Sequence, residues 1–371
     1  MHVVSSVVNH NSQLASPSCL SDYKHMRRLK VAGLIAALVS ALTALGNAPG
    51  SENANMRAVV IHSFGGPEVM KLEQMTRPEP AENEVLIRVV AASINPVDVA
   101  IRKGYLAKLV GSFPIILGMD AAGIIEKVGN KVTKYKAGDP VFAFFTLKHE
   151  GGYAEFVTAK QEEVAPKPGT VSFAQAAGAG AAGATAWEAL IDTANLHAGQ
   201  AVLIHGGSGG VGHLAIQIAK AKGAKVFATA STANQDFLRQ TGADVAIDYT
   251  RTKFQEVAKD VDVVLDTVGG DTLDRSYGVV KKGGIIVSIA DEPKPESLEA
   301  RGIRGVTLHC APKAGVMEEL SKLMEAKKVM PVISQTFPMA QVVQAQNQIA
   351  TGHTRGKIVL IIGQDPFHRA L

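Results

Sequence analysis

From Met56 onward, short apolar runs alternate with Gly- and Pro-bearing breaks, and the rhythm of those runs changes part-way along the chain. MRAVVIH, EVLIRVVAASIN (84–95), AAGIIEKVG (121–129) and DPVFAFF (139–145) are rich in Val, Ile and Phe and bounded by turn residues, which predicts strands. No segment of helix length with a helical period interrupts them, so the pattern predicts a mostly antiparallel, barrel-like domain. AQAAGAGAAGATAWEAL (174–190) reads as low complexity with a helix-compatible end, Trp187 and Leu190 lying three apart, and it opens the next domain.

Beyond it the rhythm becomes strand, helix, strand. AVLIH (201–205) is a compact apolar run, and VGHLAIQIAKAKG repeats apolar residues at Val211, Leu214 and Ile218, one helical face that stops at Gly223, a usual C-terminal cap. AKVFATA (224–230) is a second strand, DFLRQTG a second helix ending at Gly242, and ADVAIDY, VDVVLDTVGG and GGIIVSIA supply further strands. This alternation predicts a parallel sheet with helices on both faces. An amphipathic stretch (316–329), a last helix (341–350) and the strand GKIVLII (356–362) follow.

The first 55 residues have another character. The cationic MRRLK (26–30) precedes a 15-residue apolar run (31–45), and Ala44 and Gly46 frame a cut before Asn47. That three-part layout predicts a leader for export or membrane anchoring, and the run is short for a spanning helix. Paired Arg27 and Arg28 admit a twin-arginine route. The other reading is a cytoplasmic product that begins at Met56.

Composition narrows the class. Of 371 residues 46% are hydrophobic and 19% charged, enough apolar material for a real core, so a disordered chain is excluded. Half of the net charge of +4 comes from the leader, where Lys24, Arg27, Arg28 and Lys30 outweigh Asp22 and Glu52. The remainder carries no basic run of the kind that binds nucleic acid. Cys19 and Cys310 are too few for a disulfide framework or a four-cysteine zinc lobe, and Cys310 reads as a small buried hydrophobe.

Chemistry enters at HGGSGGVG (205–212), where Gly207, Gly209 and Gly212 match G-x-G-x-x-G. Alone the match is weak. Set between a buried-type strand and a helix, it is the dinucleotide fingerprint: glycine lets the backbone approach a pyrophosphate, and the helix N-terminus faces the anion. The second strand ends in ATAST (228–232), without the acid that receives the ribose hydroxyls in NAD sites. Ser231 and Thr232 offer hydroxyls that can bond a 2′-phosphate, which favours NADPH, although both could instead cap the next helix.

GQAVLIHGGSGGVGHLAIQIAK (199–220), with GGPEVMKLE, INPVDVAIRKG, GGYAEF, GATAWEAL, IDY, DTVGG and GHTRGKIVL, resembles the quinone oxidoreductase and zeta-crystallin branch of the medium-chain dehydrogenase/reductase superfamily over residues 56–362. The resemblance implies an α/β protein: a GroES-like β-barrel catalytic domain (56–178, completed by 318–363), a Rossmann doubly wound parallel-sheet domain for NADP (179–317), and a tail (364–371). It implies homodimers that use NADPH to reduce quinones or conjugated enones. A 2-alkenal or enoyl reductase, or a structural protein that binds NADPH without turnover, would share these motifs.

The resemblance also assigns roles. Thr185 would lie near the nicotinamide, Ser208, Gly209, Gly210 and Val211 on the pyrophosphate, and Ser231 and Tyr249 by the adenosine 2′-phosphate. Val268, Ser288 and Ile289 would lie by the nicotinamide ribose and carboxamide. Asn95 and Tyr105 match family positions close to the nicotinamide and are candidate donors to a developing oxyanion, with cofactor positioning the plainer role. Asp98 reads as a residue that caps or salt-bridges locally. The family often has Lys after Ser231, where this chain has Thr232-Ala233-Asn234. Arg251 could supply that charge, and Arg355 with Lys357 could also, although the pair reads as solvated.

Metal-dependent relatives carry Cys in the segment matching SINPVD (93–98) and Gly-His-Glu where this chain has Gly118-Met119-Asp120. Asn95, Met119 and Asp120 make a poor zinc set, and His205 and His213 read as ordinary surface or packing histidines, so no metal is expected. Without that electrophile, delocalised acceptors are the suitable substrates.

Overall fold

A computed structural model describes residues 55–313, 315–365 and 367. The leader expected before Asn55, Cys19 included, lies outside the described residues, as does most of the tail. Among the described residues no helix is long and apolar enough to cross a membrane.

The first region is built from strands β1 (Asn55–Ile61), β2 (Lys71–Thr76), β3 (Glu84–Ile94), β4 (Ile115–Ile116), β5 (Asp120–Val128), β6 (Pro140–Phe144), β7 (Phe156–Lys160) and β8 (Val164–Pro166). β3 pairs antiparallel with β5 and β7, and β5 with β6, as the apolar runs predict. β3 is buried along nearly its whole length because it has neighbours on both edges and both faces. A short helix, α1 (Pro96–Arg102), follows β3 directly. Proline opens it, and Asp98 at its third position accepts from Asn95 N at 2.7 Å, the local cap read from the sequence.

The Ala/Gly-rich stretch is not low complexity in space. It forms α2 (Phe173–Trp187), started by a Ser172–Gln175 capping box, and its small residues are almost all buried. A Cβ on Gly180 would stand 2.7 Å from Asp120 Cβ, so the helix can lie this close to β5 only with glycine there. The domain boundary expected at 178/179 falls inside this helix, which packs on the barrel strands and on the first helix of the next sheet.

That sheet runs β9 (Ala201–Ile204), α3 (Gly210–Ala221), β10 (Lys225–Ala230), α4 (Gln235–Gln240), β11 (Val245–Asp248), α5 (Phe254–Val257), β12 (Val261–Asp266), α6 (Gly270–Ser276), β13 (Val280–Ser288), α7 (Pro295–Arg301) and β14 (Arg304–Thr307). Its strands are parallel in the order β11-β10-β9-β12-β13-β14, the doubly wound arrangement whose direction of travel reverses between β9 and β12. Gly223, at φ +80, ends α3 where the sequence places its cap.

The chain then returns through α8 (Val316–Glu325), β15 (Ile333–Pro338), α9 (Val342–Ala350) and β16 (Lys357–Ile361). β16 pairs antiparallel with β3, Ile358 opposite Ile94, and parallel with β15, so the C-terminal segment completes the barrel. One apolar core, running from Val59 through α2 to Ile216 and Leu360, continues across both regions.

Candidate functional site

A cavity of about 590 Å³ opens between the carboxyl ends of β9, β10 and β12 and the barrel segments at 94–96 and 352–358. It sits at the reversal point of the sheet, where open α/β folds bind ligands.

The glycine loop forms its floor. Gly206 takes φ +64, Gly209 N donates to Gly206 O at 2.9 Å, and Gly207 N donates to Thr229 O at 2.9 Å, which folds the loop tightly between β9 and α3. A Cβ on Gly212 would fall 2.2 Å from Gly206 O and 2.8 Å from Gly207 Cα, so α3 can start against the loop only with glycine there. Ser208, Gly209, Gly210, Val211 and Gly212 all line the cavity at the N-terminus of the 12-residue α3. Free amides and the positive helix end make this an anion cradle that fits a dinucleotide pyrophosphate. Gly207 does not line the cavity: its Cβ would meet Leu238, Ala228 and Ile216, so it serves close packing beneath the loop.

The turn after β12 forms a second wall. Asp266, fully buried, accepts from Val268 N and Gly269 N at 3.1 Å and from Ser288 Oγ at 2.8 Å. Val268 and Ile289 line the cavity, while Ser288 is buried behind them and braces Asp266. Sequence reasoning missed Asp266, whose only signal was its place at the strand end in DTVGG.

Beyond the carboxyl ends of β10 and β11, Ser231, Asn234 and Tyr249 line the cavity. Neither Ser231 nor Thr232 caps a helix with its side chain. Thr232 Oγ1 donates to Asp248 Oδ2 at 2.6 Å, so its hydroxyl proton is spent inside the protein. Arg251 lies 3.7 Å from Asp248. Arg355 instead reaches this loop from the C-terminal segment: its Nε donates to Asn234 Oδ1 at 2.9 Å and its Nη2 to Ala233 O at 3.3 Å.

On the barrel side Asn95 lines the cavity but is 5% exposed, and both ends of its amide are engaged. Oδ1 accepts from Lys357 Nζ at 2.6 Å, and Nδ2 donates to Asp120 Oδ2 at 3.1 Å and to Ser93 O at 3.4 Å. Its free donors are therefore gone, which leaves positioning as its role. Lys357 is 3% exposed, so half of the expected solvated basic pair is buried. Tyr105 is 76% exposed on the turn after α1 and does not line the cavity. Thr185 Oγ1 donates back to Ala181 O at 2.8 Å within α2, and Ala182 faces the cavity in its place.

Burial dominates the titration of the inner groups. Asp98 also accepts from Tyr153 Oη at 2.7 Å, and burial pushes its carboxyl up to about 7. His205, between Thr229 and Ser276 hydroxyls, is held down to about 3 by burial, with Arg275 adding a smaller push. Cys310 is half-buried rather than a core residue, and burial raises its thiol to about 12.

His213 joins the loop to the strand-like turn at 332: Val332 N donates to its Nε2 at 3.2 Å, which leaves Nδ1–H to donate to Gly209 O at 2.8 Å. Burial lowers its pKa to about 4. A lowered imidazole favours the neutral form in the fold, so its stabilisation is complete above pH 6.5 and is lost as pH falls toward 4. Between pH 7 and pH 5 the loss is about 2 kcal/mol. His213→Asn keeps a donor for Gly209 O and cannot titrate, so its urea-unfolding stability should fall less over that interval than the wild type's; parallel curves would refute the assignment.

Among the described residues no group of three His, Cys, Asp or Glu side chains converges as a metal centre. The donor set at the positions expected for ligands is also already committed. Asp120 accepts from Ser93 N, Ser93 Oγ, Asn95 Nδ2 and Ala181 N, and Met119 offers only a buried thioether.

The alcohol dehydrogenase GroES-like domain family matches residues 81–169, and the zinc-binding dehydrogenase family matches residues 241–360. The chain is 38% identical over 316 residues to the chloroplastic NADPH-dependent alkenal/one oxidoreductase of Arabidopsis thaliana, covering 82% of this chain and 79% of that protein. It is 36% identical over 327 residues to the quinone oxidoreductase of Mus musculus, covering 83% and 98%. The solved structure of the quinone oxidoreductase from Coxiella burnetii superimposes with a TM-score of 0.76 at 36% identity, covering 83% of this chain and all of that one.

Proposed function

Because the chain belongs to the medium-chain dehydrogenase/reductase superfamily, we propose that it is an NADPH-dependent reductase that delivers hydride to a quinone or conjugated enone without zinc. Its relatedness to quinone oxidoreductases and to an alkenal/one oxidoreductase makes it an oxidoreductase of that class with a nicotinamide cofactor. The observation that carries the reading is the anion cradle at the N-terminus of α3, closed by the Gly212–Gly206 approach and facing the barrel across one cavity.

When bound, the cofactor supplies the hydride. The amides of Ser208, Gly210 and Val211 would hold its pyrophosphate, Gly209 turning the loop beneath them with its own N–H on Gly206 O, and Val268 and Ile289 would flank the nicotinamide ribose. Ser231, Asn234 and Tyr249 receive the adenosine end, and Arg355 supports NADPH over NADH by placing a guanidinium beside that loop. Ile94, Pro96 and Ala182 present apolar surface on which a flat conjugated acceptor can lie against the ring. Such acceptors spread incoming charge onto oxygen, which suits a site whose would-be metal ligands are occupied by internal hydrogen bonds.

The test follows NADPH and NADH oxidation by the full chain with a benzoquinone, a naphthoquinone, an alkenal and a simple ketone, with and without a chelator. Chelator-indifferent turnover of quinones with NADPH is expected. Turnover of the alkenal alone would move the substrate class to alkenals. Tight NADPH binding without any turnover would refute the reductase reading in favour of a cofactor-binding structural protein.

A homodimer and a leader for export or anchoring stand as further proposals. β14 ends the six-stranded sheet with an open edge on which a second copy could pair, and sedimentation would report the state. N-terminal sequencing of the natural product decides the leader: a start near Asn47 supports it, and a start at Met56 removes it.

A further inference from the structure

We propose that the Lys357 ammonium is the resident cation at the foot of this cleft, standing against Asn95 where metal-dependent relatives set a ligand, and that it acts as a positioning residue for Asn95. The proposal rests on the reductase reading above. Lys357 opens β16 and Asn95 follows β3, so the antiparallel pairing of those strands brings together residues 262 apart in sequence. Nζ donates to Asn95 Oδ1 at 2.6 Å and to Ile94 O at 3.2 Å, and the side chain lines the cavity.

The surroundings are built for a cation. Asp120 and Asp98, both fully buried, attract it, and an unpaired buried ammonium would cost several kcal/mol. Burial lowers the affinity of Nζ for its proton, and the two carboxylates oppose that effect. Glycine at 210 makes room for the stem: a Cβ there would stand 3.1 Å from Lys357 Cδ. The same segment is tied to the glycine loop, since Gly356 N donates to Ser208 O at 2.8 Å. A divalent cation on Asn95 and Asp120 would have to displace this ammonium and four hydrogen bonds to Asp120. The ammonium thus fixes which way the Asn95 amide points, and Asn95 lines the same cavity as the glycine loop.

The test uses the full chain and the variants Lys357→Met, Lys357→Arg, Asn95→Ala and the Lys357→Met/Asn95→Ala double, with kcat, KM, melting temperature and zinc content measured for each. Lys357→Met should lose kcat by about 10-fold or more while KM for NADPH stays within about 3-fold, and Lys357→Arg should recover most of the loss. Asn95→Ala should show a similar kcat loss, and the double variant should be no worse than the poorer single, because one acts through the other. Asn95→Ala leaves the ammonium with its carboxylates, so it decides the matter even if Lys357→Met does not fold. Wild-type kcat in Asn95→Ala, additive losses in the double variant, or stoichiometric zinc whose removal abolishes activity would overturn the proposal. If the wild type reduces no acceptor, the reductase reading has failed. In that event zinc uptake decides the cation: none by the wild type supports the resident ammonium, and stoichiometric uptake overturns it.

Discussion

Gly212→Ala is expected to weaken NADPH binding by about 100-fold, the equivalent of roughly 2.7 kcal/mol. The added methyl would fall 2.2 Å from Gly206 O, 2.8 Å from Gly207 Cα and 2.9 Å from Gly206 C. These are backbone atoms of the loop whose amides make the cradle, so relief comes only by moving the loop off α3. Stability should fall as well, by about 1–3 kcal/mol for overpacking of this kind. Gly169→Ala is the control: nothing lies within 4 Å of a methyl there, it does not line the cavity, and it should leave the affinity unchanged. Titration calorimetry with NADPH checks both. Equal affinities for the two variants would mean that the loop is a structural turn and the ligand lies elsewhere.

Arg355→Gln is expected to cut the preference for NADPH over NADH by about 10- to 100-fold, the range for a charge-assisted Arg–phosphate contact worth about 1.5–3 kcal/mol. The guanidinium is already held beside the adenosine loop by Asn234 Oδ1 at 2.9 Å, Ala233 O at 3.3 Å and the Phe237 ring at 5.6 Å, so little ordering remains to be done on binding. Arg251, beside Asp248, has its charge partly answered at home. The measurement is kcat/KM for each cofactor. NADPH should lose and NADH should stay within about 3-fold, whereas an equal loss with both would assign Arg355 to holding the loop alone.

The two halves of this site were not equally open to sequence reading. The glycine loop, the strand before it and the helix after it are local, and their signals lie within a few residues of one another. The parallel sheet, the antiparallel barrel strands and the final strand likewise carry their periods on their face. Asn95, Tyr105 and Thr185 were reached through resemblance, and that reaches only the position. The amide of Asn95 is bound at both ends, Thr185 is turned back on α2, and Tyr105 stands in solvent. Ser288 belonged to the right strand end but braces Asp266 from behind it.

The sequence by itself determined the strands and helices, their class and the glycine loop between β9 and α3, because each depends on residue types and spacings within a short window. Tertiary structure decided what the solitary polar and small residues do. An Ala/Gly-rich run proves to be a buried helix that lies close against β5, where a methyl on Gly180 would stand 2.7 Å from Asp120 Cβ. A lysine near the C-terminus reads as solvated until β16 pairs with β3 and buries it against Asn95 and Ile94 O, in the field of two buried carboxylates. Burial of a single charge leaves no periodic mark on the chain; it is created by contacts between residues hundreds of positions apart, and only the completed barrel brings them together.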